Sequence, residues 1–316
     1  MKCFYHADLD GEASAAIVGF ANQQCQEFVP MNYNDHFPID DIGISETIYI
    51  VDFTLQEPGM WERLMAQTMN VLWIDHHEST ILAARDRPES HLGGVRHFRG
   101  KAACELAWIH FNPKVAVPLG ISLIGDFDTW EFVHGTLSRR FHQGLLVGYD
   151  TRPREGWDET WWPIVDADSQ GKVGYHGKDE TVPSRFIDEV CELGRRVLRK
   201  RSITNPIDLL ADGFEVEFEG MSGVCINRGR AGSGFFDSLA HLYDVLISIS
   251  FDGERWSVSL YHSSGNTSVH LGEIARRYGG SGHAGAAGFQ CKELPFRILR
   301  RLGGPDLAPA TDMESE

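Results

Sequence analysis

Acidic and histidine side chains follow three short apolar segments of the sequence, where they could bind divalent metal ions. They are His6, Asp8 and Asp10, then Asp52, then Asp75, His76 and His77. Residues two apart in an extended segment point to the same side, which groups the first three of them. Converging carboxylates repel one another, and cations placed between them remove that repulsion. The pattern therefore predicts a site for two divalent metal ions.

The types of side chain restrict which metal the site prefers. Carboxylate and imidazole ligands without thiolate favour Mn²⁺ or Mg²⁺ over a structural zinc ion. The six cysteines are far apart and form no C-x-x-C pair, so neither a zinc site nor a disulfide framework is indicated. Taken alone, Asp52 would indicate a turn or a helix cap. The complete set favours metal, with Mn²⁺ as first choice ahead of Mg²⁺ and Co²⁺.

The elements that position these side chains alternate in type along the first 80 residues. Apolar strands are predicted over 2–6, 27–33, 47–51 and 71–74, and helices over 12–23 and 58–69. Short buried strands separated by helices are typical of an α/β fold with a doubly wound, mainly parallel sheet. Ligands bind beyond the carboxyl ends of the strands in such sheets. We therefore expect the acids to meet in one crevice.

The later part of the chain has a different pattern. Helices are predicted over 101–111, 115–125 and 183–201, and strands become frequent from residue 214 onward. Asp252-Gly253 lies between two alternating runs and predicts a hairpin, and further helices are expected over 235–242 and 269–278. We place an α/β domain with a C-terminal linker helix over 1–200, a smaller α+β domain over 206–300 and a loose tail over 303–316.

Composition excludes several classes of protein. The 316 residues carry a formal net charge of −16, which argues against a protein that coats long duplex nucleic acid through many phosphate contacts. No apolar run is long enough to span a bilayer, and acids occupy the place where a signal peptide is apolar. We expect a cytoplasmic protein without membrane contact.

Five motifs in order resemble those of a known superfamily. HADLDG, VDFT, IDHH and GDFDTW are similar to the four motifs of the DHH phosphoesterases, and GGSGHAGAAGF is similar to the glycine-rich signature of their companion DHHA1 domain. The motif regions cover about 1–135 and 214–292. The resemblance, nearest to the oligoribonuclease NrnB-like branch, implies a DHH domain with a DHHA1 domain and a Mn²⁺-dependent phosphodiesterase.

The resemblance also implies roles for the metal-binding residues. His6 and Asp8 would hold one ion, Asp10 and His76 the other, and Asp52 would bridge them. GDFDTW would supply a further ligand, for which both Asp126 and Asp128 fit. We favour Asp126, with Asp128 as a ligand or as support behind the ligands.

Two further residues of the DHH motif complete the predicted catalytic group with Asp52. Asp75 is expected to orient a histidine rather than to bind metal, which is a usual role for a carboxylate beside metal ligands. His77 would face the substrate phosphate. Two metal ions would lower the pKa of a water molecule and stabilise charge on the phosphoryl oxygens.

The glycine-rich segment is the predicted substrate-binding region. Backbone N–H groups of Gly280, Ser281 and Gly282 could approach an anion, and His283 could donate to a phosphate. The alternative is a tight turn between a helix and a strand. Family members often have an arginine in an S-L-R-S segment, where this chain has Tyr261. Arg228, Arg230 or His262 could replace that arginine, and Tyr261 could stack on a base.

Several substrates are compatible with these expectations. Short oligonucleotides or linear dinucleotides such as pGpG, cleaved from 3′ to 5′, are the leading prediction. Cyclic nucleotides, cyclic dinucleotides and 3′-phosphoadenosine phosphate (pAp) are alternatives, and pyrophosphate is disfavoured because it needs no base-binding domain. A non-catalytic nucleotide sensor is the alternative from another class. A homodimer is left open.

Overall fold

The computed structural model describes residues 1–32, 35–154, 160–166, 185–229, 231–263 and 269–303. The chain divides into two units, Met1–Leu198 and Arg199–Glu316. Among the described residues, no helix combines the length and apolar character needed to cross a membrane.

A four-stranded parallel sheet forms the centre of the first unit. Its strands are β1 (Lys2–His6), β2 (Glu27–Met31), β3 (Ile48–Val51) and β4 (Val71–Ile74), in the order β2-β1-β3-β4. Side chains alternate between the two faces, so that Tyr5 and Val51 pack into one apolar cluster while Phe4 and Ile50 pack into another. Both faces of the sheet are therefore buried, which confirms the predicted doubly wound α/β class.

Helices cover both faces of this sheet. They are α1 (Leu9–Ala21), α2 (Met60–Gln67), α3 (Glu78–Ala84), α4 (Ala103–Phe111), α5 (Leu119–Asp128), α6 (Thr136–Gly148), α7 (Trp162–Asp166) and α8 (Arg185–Asp212). Helices α1, α4 and α5 supply side chains to the cluster that contains Tyr5, and α2 supplies side chains to the cluster that contains Phe4. Short 3₁₀ turns lie at Ile39–Asp41 and Pro88–His91.

The strand order creates a crevice at the carboxyl end of the sheet. Strand β1 lies between β2 and β3, so the chain leaves β1 toward one side and later returns to pair on its other side. Ligands bind at such a reversal of strand order. His6 and Asp52 lie at or directly after the two strands that flank it.

An irregular segment over 93–97 extends the sheet beyond β4. Trp73 N–H donates to Gly93 O at 2.9 Å, and Asp75 N–H donates to Val95 O at 3.1 Å. The isolated bridges between these segments are parallel, so the segment also ends at the carboxyl edge of the sheet. This pairing was not predicted from the sequence.

The second unit is built on a seven-stranded mixed sheet. Its strands are β5 (Phe214–Phe218), β6 (Met221–Asn227), β7 (Val245–Phe251), β8 (Trp256–His262), β9 (Ser281–Gly282), β10 (Ala286–Cys291) and β11 (Arg297–Arg301), in the order β11-β5-β6-β7-β8-β10-β9. Strands β7 and β8 form the predicted hairpin, with Gly253 at φ +110° in its turn. Helix α9 (Leu271–Arg277) packs against this sheet.

Several element boundaries differ from the predictions. Helix α8 continues to Asp212 and contains Pro206, because the burial of Leu209 among apolar side chains of the second unit outweighs the cost of the missing N–H group. The predicted helix over 235–242 is two 3₁₀ turns, Ser233–Phe235 and Ala240–Leu242. Strand β11 was not predicted. Residues 304–316 of the predicted tail lie outside the described residues.

Candidate metal centre

Asp52 lies at the centre of the candidate site, directly after β3. Its backbone has φ +63°, a left-handed conformation that Asp tolerates better than most residues, and its N–H donates to Ile74 O at 2.9 Å. The residue is 1% exposed, yet no described donor forms an aligned hydrogen bond with either carboxylate oxygen. A buried acceptor without a donor costs about 1–3 kcal/mol, so this position favours a cation.

His6 and Asp8 form the first group of potential ligands with Asp52. The Nδ1 atom of His6 is 2.7 Å from Asp8 Oδ2 and 3.7 Å from Asp52 Oδ2. Asp8 also caps α1, because its Oδ1 accepts from Gly11 N–H at 3.0 Å. Only glycine fits at position 11, since a Cβ atom there would lie 2.1 Å from His6 O. The start of α1 thus fixes Asp8 beside His6.

His76 is the centre of a second group. Its Nε2 atom is 3.2 Å from Asp52 Oδ1, 3.3 Å from Asp128 Oδ2 and 3.5 Å from Asp10 Oδ2. Asp10 is held in place by α4, since its two oxygens accept from the backbone N–H groups of Ala103 and Cys104 at 2.9 Å each. These two donors lie in the first turn of α4, at the positive end of its dipole.

Burial and mutual repulsion alter the pKa values of these groups. Burial, followed by the charges of Asp10 and Asp8, raises the pKa of Asp52 well above its ordinary value. Burial and Asp10 likewise raise the pKa of Asp128 to about 7. Burial alone would lower the pKa of His6, but the charge of Asp8 and contacts with Asp52 raise it well above its ordinary value. The acids thus repel one another strongly without a metal ion.

Asp75 orients His77 rather than joining the ligands around His76. Its Oδ1 accepts from His77 N–H at 3.0 Å and lies 2.8 Å from His77 Nδ1, and its Oδ2 accepts from Thr80 Oγ1 at 2.8 Å. These contacts fix the imidazole ring at the start of α3, with Nδ1 3.9 Å from Asp52 Oδ1. Thr80 was not predicted from the sequence to be part of the site.

Of the two acids of GDFDTW, Asp128 lies beside His76, whereas the preference from the sequence was for Asp126. The oxygens of Asp126 instead accept from Val133 N–H at 2.6 Å, His134 N–H at 3.0 Å and Ser138 Oγ. Residues two apart on a helix point in nearly opposite directions, so α5 can direct only one of the two acids toward His76. Asp126 instead secures the loop after α5, in which Trp130 has φ +61°.

Asp52 belongs to each of three overlapping groups of potential ligands in the first unit. The groups are His6, Asp8 and Asp52; Asp10, Asp52 and His76; and Asp52, Asp75 and His77. Within each group the potential ligand atoms lie within 4.8 Å of one another. Oxygen and imidazole nitrogen are ligands for Mn²⁺ and Mg²⁺. The first two groups, which share the orphaned oxygens of Asp52, suit a pair of such ions.

Comparison with known proteins identifies the fold. No family model matches the sequence, and no curated protein matches it. A solved structure described as the DHH domain of a member of the s1p family of ribosomal proteins is 14% identical, with a TM-score of 0.55, over 94% of this chain and 82% of that chain. The chain has the fold of DHH-domain proteins.

Other solved structures match with lower TM-scores. A pGpG-specific phosphodiesterase, PggH from Vibrio cholerae, is 15% identical over 92% of this chain and 93% of that one, with a TM-score of 0.39. An exonuclease RecJ bound to manganese is 13% identical over 91% and 84%, with a TM-score of 0.41.

In this DHH-fold chain, the glycine-rich segment of the second unit takes part in the packing of α9, β9 and β10. Gly280 N–H donates to Ala275 O at 2.9 Å, and His283 N–H donates to Ala286 O at 2.7 Å. Ser281 and Gly282 form strand β9 and pair with β10. A Cβ atom at Gly280 would lie 2.0 Å from Gly288 O. The glycines therefore allow α9, β9 and β10 to pack closely.

The candidates for the missing family arginine have varied surroundings. Arg228 donates from Nη1 to Asp208 Oδ2 at 2.6 Å in a partly exposed ion pair. Tyr261 is partly buried and packs against the cluster around Leu209, and burial raises the pKa of its hydroxyl. His262 is partly exposed at the end of β8. Arg230 lies outside the described residues.

Proposed function

We propose that this chain is a two-metal phosphoesterase that hydrolyses short oligonucleotides or linear dinucleotides. The observation that carries the proposal is the position of Asp52, which is buried between two groups of ligands and has no aligned donor for either oxygen. A carboxylate in this position suits a bridge between two cations. The DHH fold places it at the carboxyl edge of the parallel sheet, where ligands bind.

The two ions would have distinct ligands apart from the shared Asp52. His6 and Asp8 would hold the first ion. Asp10 and His76 would hold the second, together with Asp128, whose buried Oδ2 has no aligned donor among the described residues. Mn²⁺ is the ion that we propose, because the set mixes imidazole with carboxylates and contains no thiolate.

The protein side chains would orient the substrate and the attacking water. Bound divalent ions supply Lewis acidity, which lowers the pKa of water and stabilises charge on a phosphoryl oxygen. His77, whose ring Asp75 fixes through Nδ1, would present Nε2 to a phosphate oxygen of the substrate. Thr80 would restrain Asp75 through its other oxygen. His77, Asp75 and Thr80 would then contribute by holding the substrate phosphate in a fixed orientation.

Short substrates agree with the charge of the chain. Its formal net charge is −16, and binding a long nucleic acid depends on many lysine and arginine contacts to phosphate. A dinucleotide presents few phosphates. We propose cleavage from 3′ to 5′, with pGpG as a representative substrate.

A time course with Mn²⁺ tests the proposal. Labelled RNAs of two to ten nucleotides are incubated beside cyclic dinucleotides, pAp and pyrophosphate. We expect the shortest RNAs to be converted to mononucleotides over many turnovers, with loss of activity in Asp52→Ala and His76→Ala. Asp40→Ala is the matched control, because Asp40 is 95% exposed, and it should retain activity.

Other outcomes would replace the proposal. Consumption of cyclic dinucleotides, pAp or pyrophosphate alone would assign the site to that substrate. Saturable nucleotide binding without product would indicate a sensor. Full activity of both site variants would show that the metal centre has been placed wrongly.

A further inference from the structure

A short loop over 98–102 is attached to the metal centre at both ends. On one side, His97 N–H donates to the backbone O of Asp75 at 3.1 Å. On the other side, Ala103 N–H donates to Asp10 Oδ2 at 2.9 Å. The loop therefore lies at the carboxyl edge of the sheet, between two acids of the site.

Three cations lie on or beside this loop, and two of them already have partners. Arg96 donates to the backbone O atoms of Trp73, Gly93, Ser90 and Leu92 at 2.8–3.2 Å, so its guanidinium secures the segment beside β4. Lys101 Nζ forms an ion pair with Glu105 Oε1 at 3.1 Å. Arg96 is not available for a ligand without breaking these contacts, and Lys101 already shares its charge with Glu105.

Arg99 is the third cation. Its side chain is exposed, and its guanidinium lies over the Phe98 ring at 5.6 Å from the centroid. The structure shows no ion pair between Arg99 and any carboxylate of the described residues. Gly100, at φ +65°, turns the chain directly after it. The guanidinium fork matches phosphate geometry and can donate two hydrogen bonds to one phosphate.

We propose that Arg99 binds a second substrate phosphate, distinct from the phosphate that is hydrolysed. This inference rests on the proposed function. The candidate metal ligands are largely buried, and the hydrolysed phosphate must reach them, whereas Arg99 is exposed outside every candidate ligand group. In pGpG, the representative substrate, the second phosphate is the terminal 5′-phosphate. The chain should therefore select 5′-phosphorylated dinucleotides over those that end in a 5′-hydroxyl.

Steady-state kinetics with pGpG and GpG tests this selection. The wild-type chain should have a KM for pGpG roughly tenfold or more below its KM for GpG, as expected for a hydrogen bond between charged groups. Arg99→Ala should raise the KM for pGpG to that for GpG and leave both kcat values and the KM for GpG unchanged. Arg99→Lys should retain part of the preference. Arg63→Ala, which alters an exposed arginine of α2, is the matched control.

Equilibrium binding gives a second readout that does not depend on turnover. The probes are the methylphosphonate-linked analogue of pGpG and its 5′-hydroxyl counterpart, titrated in Mn²⁺ into the same four proteins. Only the Arg99 variants should lose the difference in Kd between the probes. The proposal would be overturned if Arg99→Ala keeps the preference for the phosphorylated probe. It would also be overturned if Arg99→Ala weakens the binding of both probes equally. If the wild-type chain hydrolyses neither dinucleotide, the proposed function fails, and the binding difference alone decides on Arg99.

Discussion

The metal centre and the glycine-rich segment were both predicted to bind ligands, but their polar groups differ in whether they already have hydrogen-bond partners. At the metal centre, the oxygens of Asp52 and Oδ2 of Asp128 are buried without aligned donors. In the glycine-rich segment, the N–H groups of Gly280 and His283 already donate to backbone carbonyls. Buried polar groups in proteins almost always have partners. Several carboxylate oxygens without donors that are grouped at one site therefore mark a place where a ligand is expected.

The largest effect that would test this difference is the loss of activity in Asp52→Asn. The asparagine keeps the size of the side chain but removes the charge that would bridge two ions, so the rate should fall by about a thousandfold or more. Thermal unfolding without metal should be unchanged or should occur at a higher temperature, because a buried charge with raised pKa has been removed. A less stable variant with normal activity would assign Asp52 a structural role.

A second test compares the two acids of α5. Asp128→Asn should weaken Mn²⁺ binding by about 10- to 100-fold, since Asp128 Oδ2 faces His76 Nε2. Asp126→Asn should instead destabilise the chain by about 1–3 kcal/mol, because Val133, His134 and Ser138 donate to it. Metal titration by calorimetry and thermal unfolding measure the two effects. If Asp126→Asn weakened Mn²⁺ binding and Asp128→Asn only destabilised the chain, Asp126 would be the ligand.

The α5 comparison shows what the sequence could and could not predict. Buried strands such as Ile48–Val51 and the acids that follow them were predicted, because apolar runs and the rule for ligands at parallel sheets depend on local sequence and strand direction. The choice between Asp126 and Asp128 depends on how α5 is rotated about its axis, because the rotation decides which acid points toward His76. The helix predicted over 115–125 ends before both acids, so the prediction did not indicate which way either side chain points. The observed helix, Leu119–Asp128, includes both acids.

Long-range contacts explain the other differences. The support of Asp10 by Ala103 and Cys104 joins residues more than 90 positions apart, and no local pattern indicates it. The same holds for the segment over 93–97 beside β4. In the glycine-rich segment, the sequence is compatible with an open loop or with close packing. Only the positions of α9 and β10 distinguish these two arrangements.

A third test concerns the glycine-rich segment. Gly280→Ala should destabilise the chain by about 1–3 kcal/mol, because the added Cβ atom would lie 2.0 Å from Gly288 O. Gly232→Ala is the control, since a Cβ atom there meets nothing within 4 Å, and its stability should be unchanged. Thermal unfolding measures both variants. A Gly280→Ala variant with normal stability but weakened nucleotide binding would show that this segment binds ligand after all.

The smallest expected effect is a dependence of metal-free stability on pH. A carboxyl group with a raised pKa binds its proton more tightly in the folded chain, so stability falls as the pH rises from the unfolded pKa, about 4, to the folded value, which is about 7 for Asp128. His6 and His76 also have raised pKa values, and their contribution is lost as the pH rises above about 6.5. Both the carboxyl groups and the histidines therefore make the metal-free chain less stable as the pH rises.

Thermal unfolding of the metal-free chain between pH 5.5 and 8 should therefore show decreasing stability. Saturating Mn²⁺ should reduce or reverse this trend, because metal binding requires deprotonated ligands and strengthens as the pH rises. Identical pH profiles with and without Mn²⁺ would show that these groups do not bind the ion.

Counting the bound ions tests the central claim most directly. Equilibrium dialysis against Mn²⁺, followed by elemental analysis, should give two ions per wild-type chain. It should give fewer than two in Asp52→Ala at the same free Mn²⁺ concentration, and two in Asp40→Ala. A wild-type chain that retains no Mn²⁺, or an Asp52→Ala variant that still retains two ions with unchanged affinity, would contradict the account.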